Sequence, residues 1–141
     1  MSFSGKKVAV VGLAVNNTPL IKYLAREGAA VTVMDRKTPD QLGKFLQELA
    51  DLQGRRDIQY QLGPEYLKHL SEQEIVFLSP GIPKNLPEIQ EARQAGVRFS
   101  SELQLFFFLN HSPVIGVTGS SGKTTTTSLL GEMLAGVYPT K

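Results

Sequence analysis

Lys7-Val8-Ala9-Val10-Val11-Gly12-Leu13-Ala14-Val15-Asn16-Asn17-Thr18-Pro19-Leu20 is the stretch that decides the fold. Val8 to Val11 is a short, mostly β-branched run, which predicts a strand covered on both faces. Gly12 ends it. Thr18-Pro19 then reads as a helix N-cap followed by proline in the first turn. Leu20, Ile21, Leu24 and Ala25 recur at helical spacing, and Gly28 supplies the stop. Val31-Thr32-Val33-Met34 is a second strand, ending at Asp35.

The same alternation continues toward the C-terminus. Thr38 and Gln41 form a capping box with Pro39 at the first helical position, ahead of a stripe of Leu42, Phe45, Leu46 and Leu49. Ile58 to Gln61 reads as a third strand, Glu65 to Leu70 as a short helix, and Ile75 to Leu78 as a fourth strand. That strand runs into Ser79-Pro80-Gly81-Ile82-Pro83, where two prolines around a glycine forbid both helix and ladder. Leu86 to Ala95 is helical and closed by Gly96, and Val97-Arg98-Phe99 is a fifth strand. Ser101 and Gln104 make a second capping box for the helix through Leu109. The expectation is α/β: a Rossmann-like, mostly parallel five-stranded sheet with helices on both faces. Leu105 to Leu109 is apolar nearly all round, which fits ordinary core or a helix shared between two domains.

Pro113 opens a new unit. Val114 to Thr118 reads as a strand, Gly119 to Gly122 as a loop and Lys123 to Ala135 as a helix. This is the expected first β-loop-α unit of a P-loop ATPase domain, so the chain divides into residues 1–112 and 113–141.

Composition narrows the function classes. Fifteen Lys plus Arg against thirteen Asp plus Glu leave a formal charge of +2 over 141 residues, too mild to argue for nucleic acid. There is no cysteine, which removes disulfides and thiolate metal sites and suits a reducing compartment. No apolar run approaches the ~18 residues of a membrane span. A soluble, cytoplasmic protein is expected. His69 and His111 lie far apart with no carboxylate or second ligand near either, and no Ser/His/Asp spacing suggests hydrolysis.

The most specific motif is Thr118-Gly119-Ser120-Ser121-Gly122-Lys123-Thr124-Thr125, between a strand and a helix. Glycines let backbone amides curl around phosphate oxygens with no Cβ in the way. The helix N-terminus adds unpaired N–H groups. Lys123 suits the outer phosphates of ATP, and the Thr124 hydroxyl suits Mg²⁺. Val117 stands where the general motif has its first glycine. Thr126 and Thr127 fit surface or packing positions as well as function.

Gly12 to Asn17 sits where a dinucleotide fingerprint would sit, but it is a poor copy. Ala14 replaces the second glycine and crowds a flat pyrophosphate; Asn17 replaces the third and is expected to loosen helix–strand packing. Asp35 closes the second strand, where a ribose is held in NAD enzymes, though a plain turn residue also ends strands this way. These residues permit NAD and favour another nucleotide in the same crevice.

Taken together, the Gly12 turn, Asp35, Ser79-Pro80-Gly81-Ile82-Pro83 and Gly119-Ser120-Ser121-Gly122-Lys123-Thr124-Thr125 resemble the Mur ligase family of peptidoglycan synthesis. That family writes its phosphate loop with the Val117 departure. The resemblance implies an ATP- and Mg²⁺-dependent ligase. Its substrate carboxylate is phosphorylated, and the acyl phosphate is attacked by an incoming amine. For the branch nearest this chain, the substrates would be UDP-N-acetylmuramoyl-L-alanine and D-glutamate, acted on by a monomeric enzyme.

Carried onto this sequence, Val15 and Asn16 would face the diphosphate, helped by the Asn16 and Asn17 side chains. Asp35 and Arg36 would face the uracil, and Ser79, Pro80 and Gly81 would line the uridine pocket. Arg36 also fits a merely solvated residue. Gly119, Ser120, Ser121, Gly122, Lys123, Thr124 and Thr125 would hold ATP, with Lys123 catalytic and Thr124 on the metal. Residues 1–112 would be the UDP-sugar-binding domain and 113–141 the start of a truncated ATP-binding domain. Ligation by this chain alone is not expected.

Overall fold

Alternation along the strands decides how this chain packs, because successive side chains point to opposite faces. In the computed structural model, which describes residues 2–13 and 17–138, five strands form one sheet. They are β1 (Lys7–Val11), β2 (Ala30–Asp35), β3 (Ile58–Leu62), β4 (Ile75–Leu78) and β5 (Arg98–Ser100). The order is β3-β2-β1-β4-β5, and each pairing is parallel. The helices are α1 (Asn17–Arg26), α2 (Gly43–Glu48), α3 (Pro87–Gln94), α4 (Glu102–Leu109) and α5 (Lys123–Ala135).

Val8, Val10, Val31, Val33, Ile75 and Phe77 face one side, with Leu20, Ile21 and Leu24 of α1 and Leu105 of α4 in the same core. Ala9, Val11, Met34 and Val76 face the other, with Ile89 and Ala92 of α3 and Tyr66, Leu67 and Leu70. Helices therefore cover both faces, as a parallel sheet requires. Each fully buried Val, Leu or Ile contributes about 1.5–3 kcal/mol of transfer free energy, so the two layers supply most of the driving force. On the second face Arg93 stacks 4.4 Å above the Phe99 ring, tying α3 to β5.

Several expectations are corrected. α1 begins at Asn17, so Thr18 is helical and not the cap. The stripe after Thr38 is broken into a 3₁₀ turn (Pro39–Leu42), α2 and a second 3₁₀ turn (Ala50–Leu52). The first break falls at Leu42, whose backbone (φ −105°, ψ 6°) leaves the helical region, and the second at Leu49 (φ −100°, ψ 12°). Residues 65–70 form turns that end in a 3₁₀ segment, Leu70–Glu72. Residues 114–118 are not a strand, because no described residue pairs with them. A strand is defined by its ladder. The return half of the first capping box is present, Thr38 N–H donating to Gln41 Oε1 at 3.1 Å. In the second, Gln104 N–H donates to Ser101 Oγ at 3.2 Å.

The chain separates into two compact units, Met1–Leu109 and Asn110–Lys141. The second contains α5, none of whose residues is buried. Within α4 only Leu105 is buried, while Phe106, Phe107 and Phe108 are each about half exposed. No helix among the described residues is long and apolar enough to cross a membrane.

Glu74 fastens the lower end of β1 to β4. It accepts from Lys6 Nζ at 2.8 Å and from Lys7 N–H at 3.0 Å. The Lys6 bond first, then the Lys7 amide, holds its carboxyl below the usual carboxylate range. A lowered folded pKa means the contribution is complete above the ordinary range and disappears as pH falls through the folded value. Lys6→Ala should therefore move the onset of acid unfolding slightly upward in pH. Far-ultraviolet circular dichroism during acid titration measures the shift, which is small because the pair is exposed.

Candidate functional site

The strand order places a switch point at β1, whose neighbours β2 and β4 are reached by connections on opposite sides. Ligands of open α/β sheets bind at the carboxyl ends of strands at such a point. Here those ends are Gly12, Asp35 and Ser79.

Backbone hydrogen bonds tie the ends of β2 and β4 to the end of β1. Gly12 N–H donates to Met34 O at 2.7 Å, and Ser79 N–H donates to Val11 O at 3.1 Å. Gly12 has φ +90°, and a Cβ built on it would lie 2.7 Å from Ser79 Oγ and 2.9 Å from Ser79 Cβ. Only glycine permits this approach. Ser79 then starts a turn closed by Ile82 N–H to Ser79 O at 3.1 Å, which leaves Pro80 and Gly81 exposed at its tip.

Asp35 is buried, and both of its carboxylate oxygens are engaged. Oδ2 accepts from Leu13 N–H at 2.6 Å and Oδ1 from Lys37 N–H at 2.8 Å. Asp35 thus ties the end of β2 to the Gly12 turn, and each oxygen keeps further acceptor capacity. Arg36 is exposed just beyond it. The buried Tyr66 lies close by; burial raises its phenol pKa, Arg36 opposes that shift, and Asp35 and Glu88 add to it. Val15 and Asn16 lie outside the described residues.

In the second unit, Gly122 caps α5 in the left-handed region (φ +77°), and Thr126 N–H returns to Gly122 O at 2.9 Å. Lys123 Nζ folds back onto Gly119 O at 2.5 Å. The ammonium is therefore held inside the loop by a carbonyl oxygen, a weaker partner than a phosphate oxygen. Gly119 to Thr125 are all exposed. This arrangement fits a triphosphate: a left-handed glycine, a helix N-terminus and a cation share one loop. No cluster of three or more His, Cys, Asp or Glu able to hold a metal occurs among the described residues. A magnesium ion at Thr124 would share that hydroxyl with nucleotide phosphate oxygens and water.

A family model described as Mur ligase MurD-like, N-terminal domain, matches residues 6–101. The chain belongs to that family. The MurD-like chain is 46% identical over 129 residues to the UDP-N-acetylmuramoylalanine–D-glutamate ligase of Symbiobacterium thermophilum, covering 92% of this chain and 28% of that protein. It is 41% identical over 138 residues to the enzyme of the same name from Alkaliphilus metalliredigens, covering 96% and 30%. Among solved structures it is similar to a pseudomurein peptide ligase type C from Methanothermus fervidus, with a TM-score of 0.52 and 25% identity. That match covers 93% of this chain and 26% of the other. The MurD-like chain thus spans less than a third of the length of these relatives.

Asn17 is the residue at the strand tips that sequence reasoning misjudged. It does not loosen the turn. Its side-chain amide is buried and donates both to Gly12 O and, at 2.6 Å, to Ser79 Oγ. With both N–H bonds committed, Asn17 has no donor left for a diphosphate. The available signal was a polar residue where the fingerprint has glycine, on the helix start facing the Ser79 loop. His69 also differs from expectation: Glu72, one turn on, pairs with its Nδ1 at 2.7 Å on the surface.

Asp35→Asn tests the tie between β2 and the Gly12 turn. An amide offers one oxygen where two backbone N–H groups need acceptors, so its NH₂ must face one of them. The variant should lose about 1–3 kcal/mol, the cost of an unsatisfied buried donor. Urea unfolding with an unchanged slope would report it.

Proposed function

We propose that this chain supplies the nucleotide-holding part of an ATP-dependent ligase that joins D-glutamate to UDP-N-acetylmuramoyl-L-alanine in peptidoglycan precursor synthesis. The observation that carries the reading is the cluster at the strand tips, in which Asp35 holds the Leu13 amide and the Asn17 and Ser79 side chains hold the Gly12 carbonyl. The relatives' names support the choice of substrates. In this reading, residues 1–112 hold the uridine diphosphate, with Asp35 and Arg36 toward the base and Ser79, Pro80 and Gly81 beside the nucleoside. Val15 and Asn16 face the diphosphate.

Residues 113–141 begin the ATP-binding domain. Gly119 to Thr125 would wrap the triphosphate, and the Thr124 hydroxyl would be one ligand of a Mg²⁺ ion that offsets phosphate charge. Bound ATP supplies the phosphoryl group that activates the substrate carboxylate. Lys123 exchanges the Gly119 carbonyl for phosphate oxygens and offsets their charge as the group moves, the electrostatic role expected for phosphoryl transfer. The amine of D-glutamate then attacks the acyl phosphate, forming the amide and releasing inorganic phosphate. The enzyme works as a cytoplasmic monomer.

The test is phosphate release by a ligase of the relatives' length that carries this chain. Release should require ATP, UDP-N-acetylmuramoyl-L-alanine and D-glutamate together, and the 141-residue chain alone should give no product. Turnover with any of the three omitted, or ligation by the chain alone, would contradict the proposal.

A further inference from the structure

The Ser79 hydroxyl sits in a network whose direction is set by its neighbours. Gly12 O can only accept, so the Asn17 side-chain atom against it is the amide nitrogen, with Oδ1 turned away. The same nitrogen lies 2.6 Å from Ser79 Oγ, so Ser79 accepts that bond. Ser79 Oγ is also 3.1 Å from Gly12 O and gives its only proton there. The hydroxyl therefore has no donor left. Among the described residues, it keeps one lone pair.

We propose that Asn17 is a positioning residue: by fixing that proton it makes Ser79 an acceptor that reads a hydrogen-bond donor on the nucleoside. An imide N–H or a ribose hydroxyl meets that demand. A phosphate oxygen does not, because two acceptors repel. The inference rests on the reading of this crevice as a uridine nucleotide site and assigns the division of labour within it. Asp35 agrees with it, since its carboxylate is likewise an acceptor held in place by two backbone N–H groups. The absence of a side chain on Gly12 is what allows the Gly12, Asn17 and Ser79 atoms to close together.

A calorimetric cycle on the chain tests this, using UDP as the probe with Asn17→Ala, Ser79→Ala and the double variant. Each single change should weaken UDP about ten-fold, the worth of one hydrogen bond. The double variant should be no weaker than Ser79→Ala, because Asn17 acts through Ser79. Multiplying losses would overturn the inference, as would an Asn17→Ala variant that binds like the parent. Ser79→Ala also decides the matter if Asn17→Ala fails to fold. Its fold-loss should be the same for uridine, followed by amide chemical shifts, as for UDP. A loss confined to UDP would assign Ser79 to the phosphates and overturn the proposal. If the unaltered chain takes up no UDP, the functional reading falls first, and this inference with it.

Discussion

Lys123→Ala in a ligase of the relatives' length is expected to cut kcat/KM by about a hundred-fold or more, the usual cost of removing one preorganised group from a developing charge. The ammonium already sits in the loop, 2.5 Å from Gly119 O, so no rearrangement of the chain is needed to present it. Binding of UDP should be untouched, since Lys123 belongs to the second compact unit. Lys123→Arg should rescue poorly, because the planar guanidinium cannot replace a compact ammonium in a loop shaped around it. Steady-state phosphate release and UDP titration of the same samples separate the two effects. Equal losses in UDP affinity and turnover would count against the assignment.

Gly12→Ala should be the most damaging small substitution in the first unit. The new methyl would meet Ser79 Oγ at 2.7 Å and Ser79 Cβ at 2.9 Å, and the backbone there has φ +90°. Ser79 cannot step aside without abandoning both Asn17 and Gly12 O. Left-handed strain and overpacking together should cost about 2–4 kcal/mol. For a domain of this size the melting temperature should fall by roughly 10 °C or more. UDP binding should disappear with it. Differential scanning calorimetry and titration provide the check, and a variant melting and binding like the parent would refute the close-contact account. Gly54→Ala is a useful control: its φ is also positive, but an added Cβ would meet nothing within 4 Å. It should carry the strain without the clash.

The three central strands, β1, β2 and β4, were legible because each is a short, mainly apolar run covered on both faces. Val8 and Val10 go one way and Ala9 and Val11 the other, as a sheet covered on both sides demands. Capping residues marked helix starts where a side chain reaches a backbone amide, as at Ser101. Cooperativity was harder to read. Leu42 and Leu49 bury as the stripe predicts, yet the helix is interrupted at both, where the backbone leaves the helical region. Val114 to Thr118 has strand composition, but pairing is a property of two segments and cannot be read from one. At the strand tips, Gly12 and Asp35 were identifiable by position relative to the strands, and Ser79 through the family resemblance of its loop. Asn17 was not, because its role depends on a contact 62 residues away. Local sequence favours reading such an asparagine as a defect in a glycine motif; the fold makes it the bolt between two loops.

The central claim is that the tips of β1, β2 and β4 form a uridine nucleotide site. The most direct measurement is a crystal structure of this chain grown with UDP and NAD together, each in excess. The account predicts UDP alone in the crevice, with the nucleoside end against Asp35, Ser79 and Gly81. NAD in that crevice, or UDP bound elsewhere while side chains fill it, would contradict the account.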